Sequence, residues 1–277
     1  MKNKTWFITG ASQGIGLILA QSLLSAGYNV IATSRNIGSL QAKIDPQAAF
    51  LPLEMQITNE ESVQAAIEKG IATFGTIDVL VNNAGYGQVG TLEELSAAEV
   101  QRNFDVNVFG ALHVIRHLLP HMRANGHGQI YNIASIGAYT GEFAGWGIYC
   151  ATKFAMAGFT ESLAMEVKEF GISATIVYPG YFRTNFLAST SMSLPANPIA
   201  AYTTVRASET MHQHDINGNQ PGDPSKAANV LIAVSNSQHI PLHLFLGSDA
   251  YGMATNKANS VMAALEEHKA YTLATDF

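Results

Sequence analysis

The chain predicts an α/β fold: one doubly wound parallel sheet of about seven strands with helices on both faces. Short Val- and Ile-rich runs alternate with longer amphipathic segments along its 277 residues, the pattern of repeated β-α units. A glycine-rich turn, Thr9-Gly10-Ala11-Ser12-Gln13-Gly14-Ile15-Gly16, joins the first strand-like run to the first helix-like one. Such a turn brings backbone close to a pyrophosphate at a helix N-terminus. No linker divides the chain, so residues 1 to 277 read as one nucleotide-binding domain.

Strands are expected near Thr5 to Thr9, Tyr28 to Thr33, Ala49 to Leu53, Ile77 to Val81, Gly128 to Ile133, Ser173 to Val177 and Leu242 to Leu246, with helices in most gaps. A parallel sheet of this kind gathers its chemistry at the carboxyl ends of the strands. The stretch from Asn185 to Pro224 departs from the alternation. Pro195, Pro198, Pro221 and Pro224 punctuate it, and it reads as a strand-free lid over the site.

Composition removes several classes. A formal charge of -6 offers no footprint for nucleic acid or anionic membrane. No apolar stretch approaches the roughly 20 residues that span a bilayer. Lys2 and Lys4 precede an apolar run that breaks at Gly10, so the N-terminus reads as a first strand and not as a signal peptide. The single cysteine, Cys150, allows no intramolecular disulfide and fits a reducing cytoplasm. It reads as a packing residue, because helix neighbours point in different directions. His113, His117 and His121 recur every four residues, but one helix closes no metal site. They read as a polar or subunit-contacting face, no metal is expected, and His212 and His214 in the lid read as surface residues.

Chemistry is carried by Tyr149-Cys150-Ala151-Thr152-Lys153. On a helix, positions i and i+4 share a face, so the Lys153 ammonium can favour the Tyr149 phenolate. Asn82-Asn83-Ala84-Gly85 follows an apolar strand, Asn107 lies on a later helix, Ser135 ends another strand, and Pro179-Gly180 follows the next. In that order these elements resemble the short-chain dehydrogenase/reductase family, with the pattern TGxxxGxG, NNAG, Asn, Ser, YxxxK and PG spread over nearly the whole chain.

The resemblance implies a Rossmann-type sheet in the order 3-2-1-4-5-6-7. It also implies that Ser135 hydrogen-bonds the substrate oxygen, Tyr149 passes the proton, Lys153 holds the nicotinamide ribose, and Asn107 supports a helix kink in the proton relay. Gly10, Ser12, Gln13, Gly14, Ile15 and Gly16 would cradle the pyrophosphate. Asn83, Ala84 and Gly85 would wall the adenosine ribose, and Thr184, beyond Pro179 and Gly180, would meet the carboxamide. Gln56 stands where the family has an adenine-binding Asp; an amide oxygen also accepts. After the second strand the chain has Ser34-Arg35 and no acid. Arg35 can fork onto a 2′-phosphate, so NADPH is expected over NADH.

Tyr139, Phe143 and Trp146 lie between the serine and tyrosine motifs, and Phe182, Phe186 and Met192 follow the Pro-Gly turn. They imply an apolar substrate pocket. Pro241 to Tyr251 resembles a subgroup similar to 17β-hydroxysteroid and retinol dehydrogenases, which suggests hydrophobic ketones or secondary alcohols and a homodimer or homotetramer. A nucleotide-binding module that senses NADP and acts through a partner is the alternative. It is disfavoured because this chain keeps both tyrosine and lysine.

Overall fold

The computed structural model describes residues 4–188 and 191–277; Lys2 and the lid positions Ser189 and Thr190 lie outside them. Seven parallel strands form the main sheet: β1 Thr5–Ile8, β2 Asn29–Ser34, β3 Phe50–Glu54, β4 Val79–Asn82, β5 Gly128–Ile133, β6 Ile172–Pro179 and β7 His243–Leu246. Their spatial order is 3-2-1-4-5-6-7. Central β1 and β4 are buried throughout, which is why they read as unbroken apolar runs without alternation.

The helices are α1 Gly14–Ser25, α2 Ile37–Gln41, α3 Glu60–Phe74, α4 Ala97–Phe104, α5 Gly110–Asn125, α6 Gly147–Val167, α7 Thr203–Thr210, α8 Pro224–Ser235, α9 Ser248–Glu267 and α10 Lys269–Leu273. Successive strand residues point to opposite faces. Trp6 therefore joins a core with Leu19 and Leu23 of α1 and Leu231 of α8, while Phe7 packs with Val63 of α3, Leu118 of α5 and Leu163 of α6. Local signals start several helices. Asn59 accepts from Ser62 N at 2.7 Å to begin α3, and Ser96 with Glu99 forms a reciprocal capping box on α4.

The 185–224 segment corrects the strand-free reading. Met192–Ser193 pairs in parallel with Gly87–Gln88, and α7 runs on into a π-helical turn, Met211–Ile216. The prolines mislead because they flank this helix and do not interrupt it, and Pro224 takes the first turn of α8, where its missing N–H is harmless. Distant acids fasten the segment. Glu99 Oε1 accepts from Ala196 N at 2.9 Å, Glu94 Oε1 accepts from Ile199 N at 2.6 Å, and Arg206 Nη2 sits 2.9 Å from Glu94. No described helix is long and apolar enough to cross a membrane.

Candidate active site

The glycine turn and the Asn82–Gly85 turn lock together at the sheet's carboxyl edge. Gly10 has φ +63°, and a Cβ there would lie 2.8 Å from the Ala84 Cα, so both conformation and space require glycine. At Gly16 a Cβ would come 2.4 Å from Asn83 Nδ2. That amide donates to the carbonyls of Thr9 at 2.9 Å and Gly10 at 3.0 Å, and the Thr9 hydroxyl accepts from Asn83 N and Ala84 N at 3.0 Å each. Asn83 thus spends its side chain bracing the turn. No side chain caps the start of α1 and no acid occupies its first turn. Its backbone donors and the helix dipole are left for an anion.

From this floor a cleft of about 770 Å³ runs in two directions. Every expected cofactor residue lines it except Gly16, which lies beneath, packed on Asn83. At one end stand Ser12, Ser34, Arg35 and Gln56. Outside the lining, a second cation that sequence reading missed reaches Ser12: Lys43, beyond α2, donates from Nζ to the Ser12 carbonyl at 2.7 Å. Only the fold brings it back, 31 positions from Ser12.

At the opposite end Tyr149 and Lys153 share one face of α6. Lys153 Nζ lies 5.9 Å from the Tyr149 ring centroid and donates to the Ile133 carbonyl at 2.8 Å. Ser135, at the end of β5, accepts from Gly137 N at 3.0 Å, and its hydroxyl is near enough to the Tyr149 phenol to favour the phenolate. A buried ladder holds α6 to the sheet: Asn82 Nδ2 donates to Asn132 Oδ1, and Asn132 Nδ2 to Thr160 Oγ1, each at 2.8 Å.

Asn107 sits behind the wall at the centre of a π-helical turn, Asp105–Phe109, between α4 and α5. Its side chain accepts from Tyr86 N and donates to the Tyr86 carbonyl and the Thr152 hydroxyl, all at 3.0 Å. The helix irregularity is thereby tied to the turn after β4 and to α6 at once.

Burial dominates the titration of this end. It pushes the Tyr149 phenol well above its ordinary value, against the lowering effect of the Ser135 hydrogen bond. Desolvation brings Lys153 down to about 8. The Cys150 thiol is likewise pushed up to about 11 by burial, which suits an inert packing group.

Of the aromatic and apolar candidates, Phe143, Trp146, Phe182, Phe186 and Met192 line the cleft. Tyr139 does not. Its ring packs edge-on against Tyr178 at 6.0 Å and Phe245 at 5.3 Å, because the short helical turn at Ile136–Ala138 sends it into the core. His212 also departs from its surface reading. It is buried at 3% exposure, lines the cleft, and its ring lies 4.9 Å from Trp146; His214 is exposed. Arg183 donates to the Gln220 carbonyl from Nε and Nη2 at 3.2 and 3.0 Å, so its charge pins the lid's end. His113, His117 and His121 bond separate partners, Ile57 O, Glu60 and Asn125, and no cluster able to hold a metal occurs among the described residues.

Comparison with known proteins agrees with this geometry. The family model for short chain dehydrogenases matches residues 4–194. Oxidoreductase BOA17 of Botryotinia fuckeliana is 34% identical over 276 residues, covering 98% of this chain and 99% of that protein. Human retinol dehydrogenase 8 is 38% identical, over 69% of this chain and 64% of its own length. Among solved structures, a short-chain dehydrogenase from Streptomyces avermitilis superposes with a TM-score of 0.90 at 36% identity, with both chains fully covered. A 3-ketoacyl-(acyl-carrier-protein) reductase from Brucella melitensis complexed with NADH aligns at TM-score 0.75 and 27% identity, over 91% of this chain and 99% of that one. ElxO with NADP bound aligns at 0.73 and 26%, over 88% and 97%. The chain belongs to the short-chain dehydrogenase family of oxidoreductases.

Proposed function

We propose that the protein reduces apolar ketones with NADPH and, in reverse, oxidises secondary alcohols. The observation that carries this reading is one cleft with Ser135, Tyr149 and Lys153 on one wall and Arg35 at the far end of its glycine floor, where Lys43 bonds the Ser12 carbonyl from outside the lining. When bound, a reduced nicotinamide supplies hydride to the carbonyl carbon. Ser135 and Tyr149 present hydroxyl donors to the oxygen where charge develops, fixed beforehand by the β5 end and α6. Tyr149 gives up its proton as that charge forms. Its raised pKa keeps the proton in place until then. Lys153, half-titrated near pH 8, feeds positive charge to the phenolate and meets the ribose, and Asn107 holds the backbone that lets the relay refill.

Preference for NADPH rests on Arg35, exposed on the cleft wall, and on Lys43 beside Ser12. No carboxylate follows β2 to repel a 2′-phosphate. The apolar rings of Phe143, Trp146 and Phe186 support hydrophobic substrates, in keeping with the retinol dehydrogenase likeness. Exposed Phe154 and Met165 on α6 support a homodimer or homotetramer, which light scattering would test, and a single buried thiol fits the cytoplasm. Loss of reduced-nicotinamide absorbance with a panel of aryl and cyclic ketones, each with NADPH and NADH, tests the reaction. Cofactor binding without turnover of any ketone would replace it with the sensor reading.

A further inference from the structure

Just past the end of β6, two stretches that are separate in sequence pair with each other. Gly222 N donates to the Tyr181 carbonyl and Arg183 N to the Gly222 carbonyl, each at 2.9 Å, and Phe182 bridges Gly222 in parallel. A Cβ on Gly222 would lie 2.7 Å from the Tyr181 carbonyl oxygen, so this approach needs glycine. The Arg183 guanidinium closes the pairing, with Nε and Nη2 on the Gln220 carbonyl at 3.2 and 3.0 Å. Gln220 is itself buried. Its Oε1 accepts from Gly218 N at 2.9 Å, and its Nε2 lies 3.4 Å from the Thr184 carbonyl.

Thr184 is the residue that this pairing holds. Its Cβ lies 3.8 Å from where a Cβ on Gly14 would stand, so its side chain faces the glycine turn. Two positions on, the Phe186 ring is 5.7 Å from that of Tyr149. Residues 184 to 186 line the cleft and reach from its glycine floor to its tyrosine, the path along which the nicotinamide half of a dinucleotide would lie. The Thr184 hydroxyl accepts from Phe186 N at 3.3 Å. Its own proton has only the Phe182 carbonyl, at 3.5 Å, and Thr184 N already donates to that oxygen at 2.8 Å. So long a hydrogen bond holds little, and the hydroxyl keeps a proton for an acceptor in the cleft.

We propose that Arg183 and Gly222 form a clamp that holds Thr184 against the nicotinamide half of the cofactor and so fixes which face of the ring meets the substrate. Half a turn about the bond to ribose presents the other face and carries the carboxamide to the opposite side. A donor held at one place on the wall makes the two orientations unequal, provided that the backbone carrying it does not drift. Arg183 is a positioning residue: its charge acts on the Gln220 carbonyl, and Thr184 makes the contact.

This inference rests on the ketone-reductase reading for its hydride transfer, and its test separates the two. Calorimetric titration compares NADPH with adenosine 2′,5′-bisphosphate, which lacks the nicotinamide half, in the natural protein, Arg183→Ala, Arg183→Lys and Gly222→Ala. NADH and ADP take their places if NADH is the tighter cofactor. Arg183→Ala should weaken the whole dinucleotide by about tenfold, the scale of a charge-assisted hydrogen bond, and leave the half molecule within about twofold. Arg183→Lys restores one donor and should recover part of the loss. Each protein is then given NADPH deuterated on one face of C4, and the label in the alcohol product is read by mass spectrometry. The natural protein should pass hydride from a single face, and Arg183→Ala and Gly222→Ala from both. If no ketone turns over, the reductase reading fails, and ring orientation is read instead from transferred NOEs between the nicotinamide protons and ribose H1′ of bound NADP. Thermal melting verifies folding, and if Gly222→Ala does not fold, the two Arg183 variants decide. Equal losses for both ligands in Arg183→Ala, no loss for either, or a single ring orientation kept in that variant overturns the clamp.

Discussion

Lys153 lies against the Ile133 carbonyl inside a protein wall, and burial alone brings it to about 8. Its folded pKa stands below the ordinary lysine value, so the ammonium is held at a cost below pH 8 and is lost as pH rises through that value. Ketone reduction should therefore fall above about pH 8, as the charge that supports the Tyr149 phenolate disappears. Lys153→Arg, whose guanidinium does not titrate, should remove that alkaline limb even if the rate is lower; a limb that stays at the same pH would assign it to another group. Tyr149→Phe should cut kcat by about 10²–10⁴ with NADPH affinity nearly intact, since only the proton is removed. Arg35→Asp should reduce the NADPH-to-NADH ratio of kcat/KM by tens of fold, and Lys43→Ala by a smaller factor, because a bidentate fork outweighs one ammonium. An unchanged ratio in both would remove them as selectors. The tyrosine, lysine, serine and Arg35 were legible because each belongs to a local spacing or a strand end. Lys43 and His212 were not, since the contacts that bring them to this region each span 31 positions.

The elements show what local patterning can and cannot specify. The strands announce themselves as apolar runs between turn residues, and the glycine positions mark where backbone crosses backbone. The lid conceals its helix because α7 is polar and short, with only Val205 buried. What holds it is a set of acids on the β4-to-α4 side. Burial pushes the Glu94 carboxyl up, but hydrogen bonds from Thr91 and Ile199 and the charge of Arg206 outweigh this and leave it below the usual range. Hydrogen bonds from Ser96 likewise hold Glu99 below the usual carboxylate range against the effect of burial, helped by Ala196 N. Both folded pKa values lie below their unfolded ones, so the clamp is complete above the ordinary carboxylate range and is lost as pH falls through the depressed values. Glu94→Gln should remove one of the two carboxylates on Arg206, leaving Glu209 at 2.9 Å, and weaken the acceptors for Thr91 N and Ile199 N, lowering stability by about 1–3 kcal/mol. Calorimetry at neutral pH checks this, and the loss should shrink as both proteins approach pH 3–4. Phe186→Ala, which removes a ring 5.7 Å from that of Tyr149, should raise KM for bulky ketones more than for small ones, by up to about 2 kcal/mol.

For the whole molecule, parallel topology brings motifs that are separate in sequence to one edge, because every strand delivers its carboxyl end there. We propose that the segment from residue 185 to 224 closes over the site as a lid, on the ground of how unevenly it is tied to that body. Its middle, from Ala196 to Arg206, is fastened to Glu94 and Glu99. Its first part is held by the two-residue pairing of Met192 and Ser193 with Gly87 and Gln88 and by Gln13 Nε2, which donates to Ser191 Oγ at 2.6 Å. Gln13 belongs to the glycine turn, so a pyrophosphate bound there would compete for, or share, the side chain that holds the start of this segment. Hydrogen exchange should therefore split the segment. Amides from residue 196 to 206 should be protected in every state, while those from 184 to 188 and 191 to 193 exchange faster in the free protein. NADP with an unreactive ketone analogue should protect the latter group more than NADP alone, since closure removes water from the forming oxyanion. Slow exchange across both groups before any ligand is added would make the segment a fixed wall, and substrate choice would then follow from pocket shape alone.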